Sequence, residues 1–502
     1  MENQNPQERK PAIEVSTNPA LRAIAKSELE AIVSAELSAL QSTVTELLES
    51  FVQQVSPAST RKLEQNLFAR LLALGNGLIS KLFNSLEADP EQQPASVKYR
   101  DKSHRRLGDC TPRNVVTRFG KITLHRSRFR RGRKGKTVFP LEIALGIQRG
   151  FTPAAASSIG QQFADTGSSQ GRTIGFVKEH FGCSIGAPRL RKLGAHLAEV
   201  MEPFREQCQV DQLLKWLADA RKNKAKSIVL SVSRDAVSLG VAPFGFFEMA
   251  SVATLSVLAD GKRMGTVYLA RTPETNQQTL SKQLTSLLKA TLRASTQKPE
   301  VVYVTDAGIT ETAYWKNELS RFYVEGVRIK IHRVVDYYHA SQRLTAIADC
   351  LKFAKAKQSR EDWLERMRKL LTEEGGQGRV MRSVSKMKRL YGIKSGKKNE
   401  FDAAMGYLRN QKRYMNYFAM REQHFPIGSG VVESACKQIV SERMKLSGMR
   451  WKSEGAQAVM TLRSIKLSRI WDNVFGRMLN DVQPVSDATT NQEMDFTDST
   501  GA

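Results

Sequence analysis

Three carboxylates stand where a sheet and a helix can gather them. IVLSVSRD ends on Asp235 and VVYVTD ends on Asp306, and each is a short apolar run that reads as a strand. Glu433 follows a glycine-rich turn in GSGVVESACK, at the start of a helical stretch. Carboxylates held side by side repel one another unless a divalent cation lies between them. All-oxygen donors of this kind suit Mg²⁺ or Mn²⁺. Two such ions held by Asp235, Asp306 and Glu433 would serve in-line phosphoryl transfer. A single aspartate at a strand end is more often a turn or cap residue. It is the set, in this order and in a basic chain, that points to chemistry.

A second pair follows. VRIKIHRVVD ends on Asp336, and His339 lies about one helical turn beyond it. The pair reads as a structural hydrogen bond, as a device that orients the next helix, or as an accessory group near a scissile phosphate. Asp336 is also the rival of Asp306 as a metal ligand. Asp260 is a weaker rival, because Asp260-Gly261 is a hairpin-turn signal.

The elements that must position these residues form a recognisable order. Strands are predicted over 227–235, 248–260 and 264–271, a helix over 277–294, a strand over 300–306, a helix over 309–322 and a strand over 327–336. Three strands, helix, strand, helix, strand is an α/β plan of the ribonuclease-H-like kind, with the first three strands as a meander and the later ones entering by crossovers. Residues 226–344 and 426–475 make up this catalytic domain. Residues 345–425 are a helical insertion with 19 basic and 9 acidic residues.

Charge divides the rest. The chain of 502 residues has a formal net charge of +27, which favours a polyanion partner, nucleic acid first. Residues 1–98 do not share it: 9 basic and 12 acidic residues accompany two leucine-rich helices, over about 19–55 and 60–86, suited to self-association or to packing on their own domain. Residues 99–225 are basic and helix-rich, and 99–150 alone carry 15 Lys and Arg against 3 acids. In RFGKITLHRSRFRRGRKGK, Arg126, Arg128, Arg130, Arg131, Arg133 and Lys134 read as phosphate contacts on a strand and basic turn, with Phe119 and Phe129 interleaved. Residues 171–200 read as a helix ending near Phe181, a turn over 182–186 and a second helix from Pro188 that starts with Arg189, Arg191 and Lys192, either a helix-turn-helix or two packed helices with no DNA role. After Glu433, Lys437, Arg443, Lys445 and Arg450 are further phosphate contacts, and Trp451 either stacks on a base or packs in the core. The acidic tail 483–502 reads as disordered.

Five cysteines without a CxxC pair exclude a disulfide framework and leave a zinc ribbon unsupported. The polar start lacks a signal-peptide core. Leu239 to Ala259 carries one charge and is long enough to raise a membrane-spanning question, but its small polar residues and partial alternation fit adjoining strands. No membrane partner is expected.

The motifs VVYVTDAG, VVDYYHA, FPIGSGVVESACK and RMKLSGMRW followed by EGAQAVMTLRS together resemble the DDE transposases of bacterial insertion sequences, nearest the ISKra group and distantly the Mutator-like transposases. The likeness covers roughly residues 100–475. It implies Asp235, Asp306 and Glu433 as catalytic triad and metal ligands, with Asp336 and His339 as accessory residues. It also implies transposon-end and target duplex DNA as partners, a homo-oligomer, and a bacterial, cytoplasmic, nucleoid-associated protein. Two departures stand out. Relatives often carry a zinc-binding CxxC turn in the basic region, absent here, so no zinc is expected. Relatives usually have Gly after the first Asp, where this chain has Ala236. The second departure keeps open a catalytically inactive, domesticated transposase acting as a DNA-binding regulator. A structure-selective nuclease of the same fold is a third reading.

Overall fold

Two long helices stand near the start of the described chain, in a computed structural model that describes residues 18–108, 110–242, 247–353 and 357–488. The helices α1 (Lys26–Gln53) and α2 (Pro57–Ser85) follow the leucine periodicity. Ser56 and Ser59 form a reciprocal capping box, and Pro57 starts α2. Val33, Leu37 and Leu48 of α1 remain exposed. Short strands β1 (Ser96–Tyr99) and β2 (Lys102–Arg106) precede a hairpin of β3 (Thr111–Thr117) and β4 (Gly120–Arg126), then β5 (Phe129–Arg130) and β6 (Thr137–Val138). Asn76 and Asn84 of α2 donate to the backbone of β4 and the turn before it, so α2 covers the hairpin. Helices α3 (Pro140–Ala144), α4 (Pro153–Phe163), α5 (Gln170–Phe181) and α6 (Ala187–Lys222) follow. The helix ending at Phe181, the turn and the helix after it expected within 171–200 are present, and α6 is 36 residues long.

The chain divides into two units, one of residues 1–162, 170–193 and 477–502 and one of 163–169 and 194–476. The acidic helices and the basic stretch after them therefore share a unit. The break falls within α6 rather than at residue 225, because Leu213, Trp216 and Leu217 of α6 belong to the core of the second unit.

That second unit is built on one mixed sheet. Strands β7 (Ile228–Gly240), β8 (Phe247–Ala259) and β9 (Lys262–Arg271) form an antiparallel meander, turned between β8 and β9 by Asp260 and Gly261, both at positive φ. Helix α7 (Gln278–Ala294) leads to β10 (Glu300–Thr305), parallel to β7. Helix α8 (Ile309–Tyr314), a π-helical turn and the small hairpin of β11 (Phe322–Val324) and β12 (Val327–Ile329) lead to β13 (Ile331–Val335), parallel to β10. The strand order is β13-β10-β7-β8-β9. Alternation along β10 splits the core. Val301 and Tyr303 pack with Leu280, Leu284 and Leu288 of α7, while Val302 and Val304 pack with the helices that follow β13. Truncating one of those buried leucines to Ala costs about 2–5 kcal/mol.

Three expectations are corrected here. The first strand does not end at Asp235 but pairs with β8 as far as Gly240. Arg234, just before the expected end, is buried: its guanidinium lies 4.3 Å from the Tyr314 ring centre and donates to Ser281 Oγ and Gln277 Oε1. The helix expected to reach Phe322 stops at Leu319, and Phe322 is in β11. The single strand expected over 327–336 is broken at Lys330 into β12 and β13.

In its described residues the insertion is built of helices and short turns: α9 (Tyr337–Cys350), α10 (Lys357–Leu371), α11 (Gly376–Tyr391), α12 (Lys398–Gln411) and α13 (Tyr417–Glu422). The chain then runs through α14 (Gly430–Cys436), a π-helical turn, α15 (Glu442–Met444), α16 (Ser453–Leu467) and α17 (Trp471–Asn480). It ends in β14 (Ser486–Asp487), which pairs with β1 in the first unit. The tail is thus ordered beyond Gln483, with Val485 buried against Val97 and Phe129; its residues 489–502 lie outside the described residues. Of Leu239 to Ala259, the described residues lie in or next to β7 and β8. Among the described residues no helix is long and apolar enough to cross a membrane.

Candidate metal centre

Register sets three aspartates side by side. Val304 pairs with Ser233 and Thr305 with Val335. Two residues beyond the first pair stand Asp306 and Asp235, and one residue beyond the second stand Asp306 and Asp336. The Asp336 N–H donates to Thr305 O at 2.8 Å, which carries the ladder to that level.

Asp235 lies within β7, with its Oδ1 accepting the Ala236 N–H at 2.7 Å. Burial pushes its carboxyl up to about 6; the Ala236 N–H and the Cys436 thiol pull it down, and the charges of Asp306 and Glu311 add to the rise. Cys436, one turn after Glu433 on α14, is itself pushed up, by burial first and then by Asp235.

Asp306 follows the last residue of β10. Its Oδ1 accepts the Gly308 N–H at 2.8 Å, across an Ala307 held at φ +63°. Its carbonyl accepts the Tyr407 hydroxyl of α12 at 2.7 Å, so the insertion braces this strand end. Gly308 has no room for a side chain: a Cβ there would meet Glu311 Oε2 at 2.5 Å and Asp306 Oδ1 at 3.2 Å. Glu311 is a carboxylate that the sequence reading missed. It is 5 % exposed, its Oε1 is buried without a hydrogen-bond partner, and burial raises its pKa with Asp306 adding to the rise. The one signal was its place, five residues after Asp306 on the next helix.

Asp336 is fully buried and caps α9, its Oδ1 accepting the His339 N–H at 2.8 Å. Its Oδ2 accepts the Ser429 backbone N–H and lies 2.8 Å from Ser429 Oγ. The same Oγ lies 2.9 Å from Glu433 Oε1. A hydroxyl has one proton, so it serves one of these two carboxylates at a time. A hydrogen bond from Tyr337 N–H to Ile427 O ties the glycine-rich turn to the end of β13. The ring Nδ1 of His339 is buried without a partner.

Among the described residues, Asp336, His339 and Glu433 form the group whose ligand atoms all lie within 4.8 Å of one another, and it can hold a metal ion. Asp235, Asp306 and Glu433 are not grouped at that distance among the described residues. Asp235 and Asp306 are nonetheless close enough to act on each other electrostatically, and α14 brings Cys436 against Asp235.

The basic residues fall into two sets. Arg131, Arg133, Lys134, Lys437, Lys445 and Arg450 are exposed, and Arg128 and Arg130 are half-buried. Lys445 Nζ lies 3.2 Å from Ser238 Oγ, and Arg130 also bonds Thr137 Oγ1. Arg126 and Arg443 depart from the expected phosphate contact because both face inward. Arg126 is paired with Glu142 and lies 3.8 Å from the Phe139 ring centre. Arg443 donates from Nε and Nη2 to Phe163 O, between the rings of Phe163 and Trp451, and burial pulls its pKa down to about 10. Trp451 donates its Nε1–H to Met444 O. Arg189 is turned inward too, over the Phe151 ring with a bond to Gly150 O.

No protein-family model matches the chain, and the comparison with curated proteins gives no match.

Proposed function

We propose that the chain is a DDE-type DNA transposase with a ribonuclease-H-like catalytic unit, cutting DNA at the ends of its own element and joining the freed 3′-hydroxyl to target DNA. The observation that carries the reading is the register of β7 and β10, which sets Asp235 beside Asp306 next to the helix that bears Glu433. The strand order, with a three-stranded meander and two parallel crossover strands, supports the fold half of the reading.

The donor set fits divalent cations. Asp235 and Asp306 repel each other in a buried setting, and Glu311 presents a buried oxygen without a partner, a cost that positive charge would relieve. Asp235, Asp306 and Glu433 would hold two Mg²⁺ or Mn²⁺ ions, with Asp336 and His339 as accessory residues. Such ions, when bound, activate water and stabilise charge on the phosphoryl oxygens. The chain's own groups do the positioning. Arg131, Arg133, Lys134, Lys437, Lys445 and Arg450 meet backbone phosphates, while Ser429 and Asp336 fix the turn from which Glu433 projects.

A rival ligand set has an observation of its own: among the described residues, Asp336, His339 and Glu433 have ligand atoms within 4.8 Å of one another. The test is metal-dependent cleavage and joining of the element's own end sequences. Activity lost in Asp306→Asn and in Glu433→Gln supports the triad. Activity retained in Asp306→Asn and lost in Asp336→Asn supports the rival. A wild-type chain that binds those ends without cutting them in Mg²⁺ or Mn²⁺ is a DNA-binding regulator, and cutting without joining marks a nuclease.

A further inference from the structure

The insertion carries a cationic groove whose residues lie outside the stretches read above as phosphate contacts. Arg382, Lys386 and Arg389 recur along α11 at helical spacing, and Arg409 and Lys412 enter from the end of α12 and the turn after it. Together they line a cavity of about 640 Å³, with Met381 and Met405 also in its wall. All five cations are exposed. No carboxylate lines the groove, and none of the five side chains has an ion-pair or hydrogen-bond partner among the described residues. Acids are not lacking nearby: Arg379 pairs with Glu373 at 2.9 Å, and Lys397 pairs with Glu400 at 2.6 Å. Helix α11 cannot turn these charges away, because Val380 and Val384 are locked in the core.

Five like charges around one groove repel, and no internal partner offsets the cost, so the arrangement calls for an external anion. A single phosphate group would engage one or two of them. Arg382 to Arg389 spans about 10 Å of helix, and a DNA duplex offers one charge per roughly 1.7 Å of its axis. We propose that this groove binds the phosphate backbone of duplex DNA, through residues additional to those of 126–134 and 437–451. The proposal rests on the reading of the chain as a DNA-handling protein.

The experiment compares the full-length protein with a triple variant, Arg382→Gln, Lys386→Gln and Arg389→Gln, binding a labelled duplex of arbitrary sequence across a salt series. The variant should melt like the wild type, bind more than about tenfold more weakly near 0.1 M salt, and lose roughly 2–3 from the slope of log K against log salt. In the wild-type protein, duplex should shield Lys386 and Lys412 from acetylation, read by mass spectrometry. An unchanged slope in a folded variant, with both lysines still acetylated in the presence of duplex, overturns the groove assignment alone. A wild-type chain that does not bind duplex overturns it together with the proposed function. A defect confined to anionic lipid vesicles, with duplex binding intact, assigns the groove to a membrane surface and also overturns it.

Discussion

Ser429 and Asp336 are 93 positions apart, yet the backbone N–H and the hydroxyl of Ser429 converge on one oxygen of the Asp336 carboxylate. The other oxygen of Asp336 caps α9. Both oxygens are therefore engaged by the protein. The carboxylate joins the end of β13, the start of α9 and the turn before Glu433.

Replacing Asp336 with Asn puts an NH₂ group in place of one of those oxygens and strands a buried donor. The expected loss is about 2–4 kcal/mol, measured by urea unfolding. Ser429→Ala keeps the backbone bond and removes only the hydroxyl that lies between Asp336 and Glu433, so it should cost about 1 kcal/mol. A stability loss in Ser429→Ala equal to that in Asp336→Asn would show that the hydroxyl, not the backbone bond, closes the turn.

Asp306→Asn and Glu433→Gln keep size and shape while removing charge. Each should reduce cleavage and joining to background and leave DNA affinity within about twofold, because the affinity is expected from basic groups elsewhere. Gel assays of cleavage beside fluorescence anisotropy of binding test both halves. Glu433→Gln cutting in Mg²⁺ near the wild-type rate would remove Glu433 from the site.

Asp235 has a raised carboxyl pKa, near 6, so the folded protein holds that proton more tightly than the unfolded chain does. Its ionised form destabilises the metal-free fold above about pH 6, and the penalty disappears as pH falls below about 4. Asp235→Asn should therefore stabilise the metal-free protein at pH 7.5 by up to about 3 kcal/mol and have little effect near pH 4. Thermal melts at the two pH values in a chelator read this directly; equal shifts at both would rule out the buried charge as the cause.

Arginines of the basic turn and the inward-facing Arg443 should separate in one pair of assays. Arg128, Arg130, Arg131 and Arg133 replaced with Ala should weaken DNA binding and flatten its salt dependence. Arg443→Ala should instead lower stability by about 2–4 kcal/mol, since it empties a space between Phe163 and Trp451. An Arg443→Ala protein that melts normally but shows a reduced salt slope would return Arg443 to the DNA surface.

Self-association is best tested on α1. Removing residues 1–94 would also remove α2, which covers the β3–β4 hairpin through Asn76, Asn84, Ile79 and Phe83. Val33→Lys, Leu37→Lys and Leu48→Lys change exposed side chains only. They should yield a folded, DNA-binding monomer by sedimentation, and an unchanged oligomer would assign those helices another purpose.

The sheet was legible because its cues are local. Strand runs of period two, the Asp260-Gly261 turn and the leucine spacing of α7 each follow from a few neighbouring residues. The end of β7 was not, because the charged pair Arg234-Asp235 breaks the apolar run, and the cover for Arg234 comes from Tyr314 and Gln277 in distant sequence. Arg126 and Arg443 misled in the same way: a charge has no visible partner in sequence when the partner is Glu142 or the carbonyl of Phe163. Glu311 was hidden by ordinary surroundings, since nothing in ITETAY separates a buried carboxylate from an exposed one. The Asp336–Ser429 contact spans the whole insertion, a distance over which no spacing rule operates.

That span also has a consequence for timing. Closing a loop of 93 residues carries an entropic cost of about 4 kcal/mol, met only when the insertion helices fold between its ends. As the chain leaves the ribosome, Asp336 and His339 emerge well before Glu433, which completes the group able to hold a metal ion only after α9 to α13 have been made. A nascent or truncated chain lacking α14 therefore carries only part of that group. The order of synthesis thus withholds the complete set of candidate ligands until the insertion has been made.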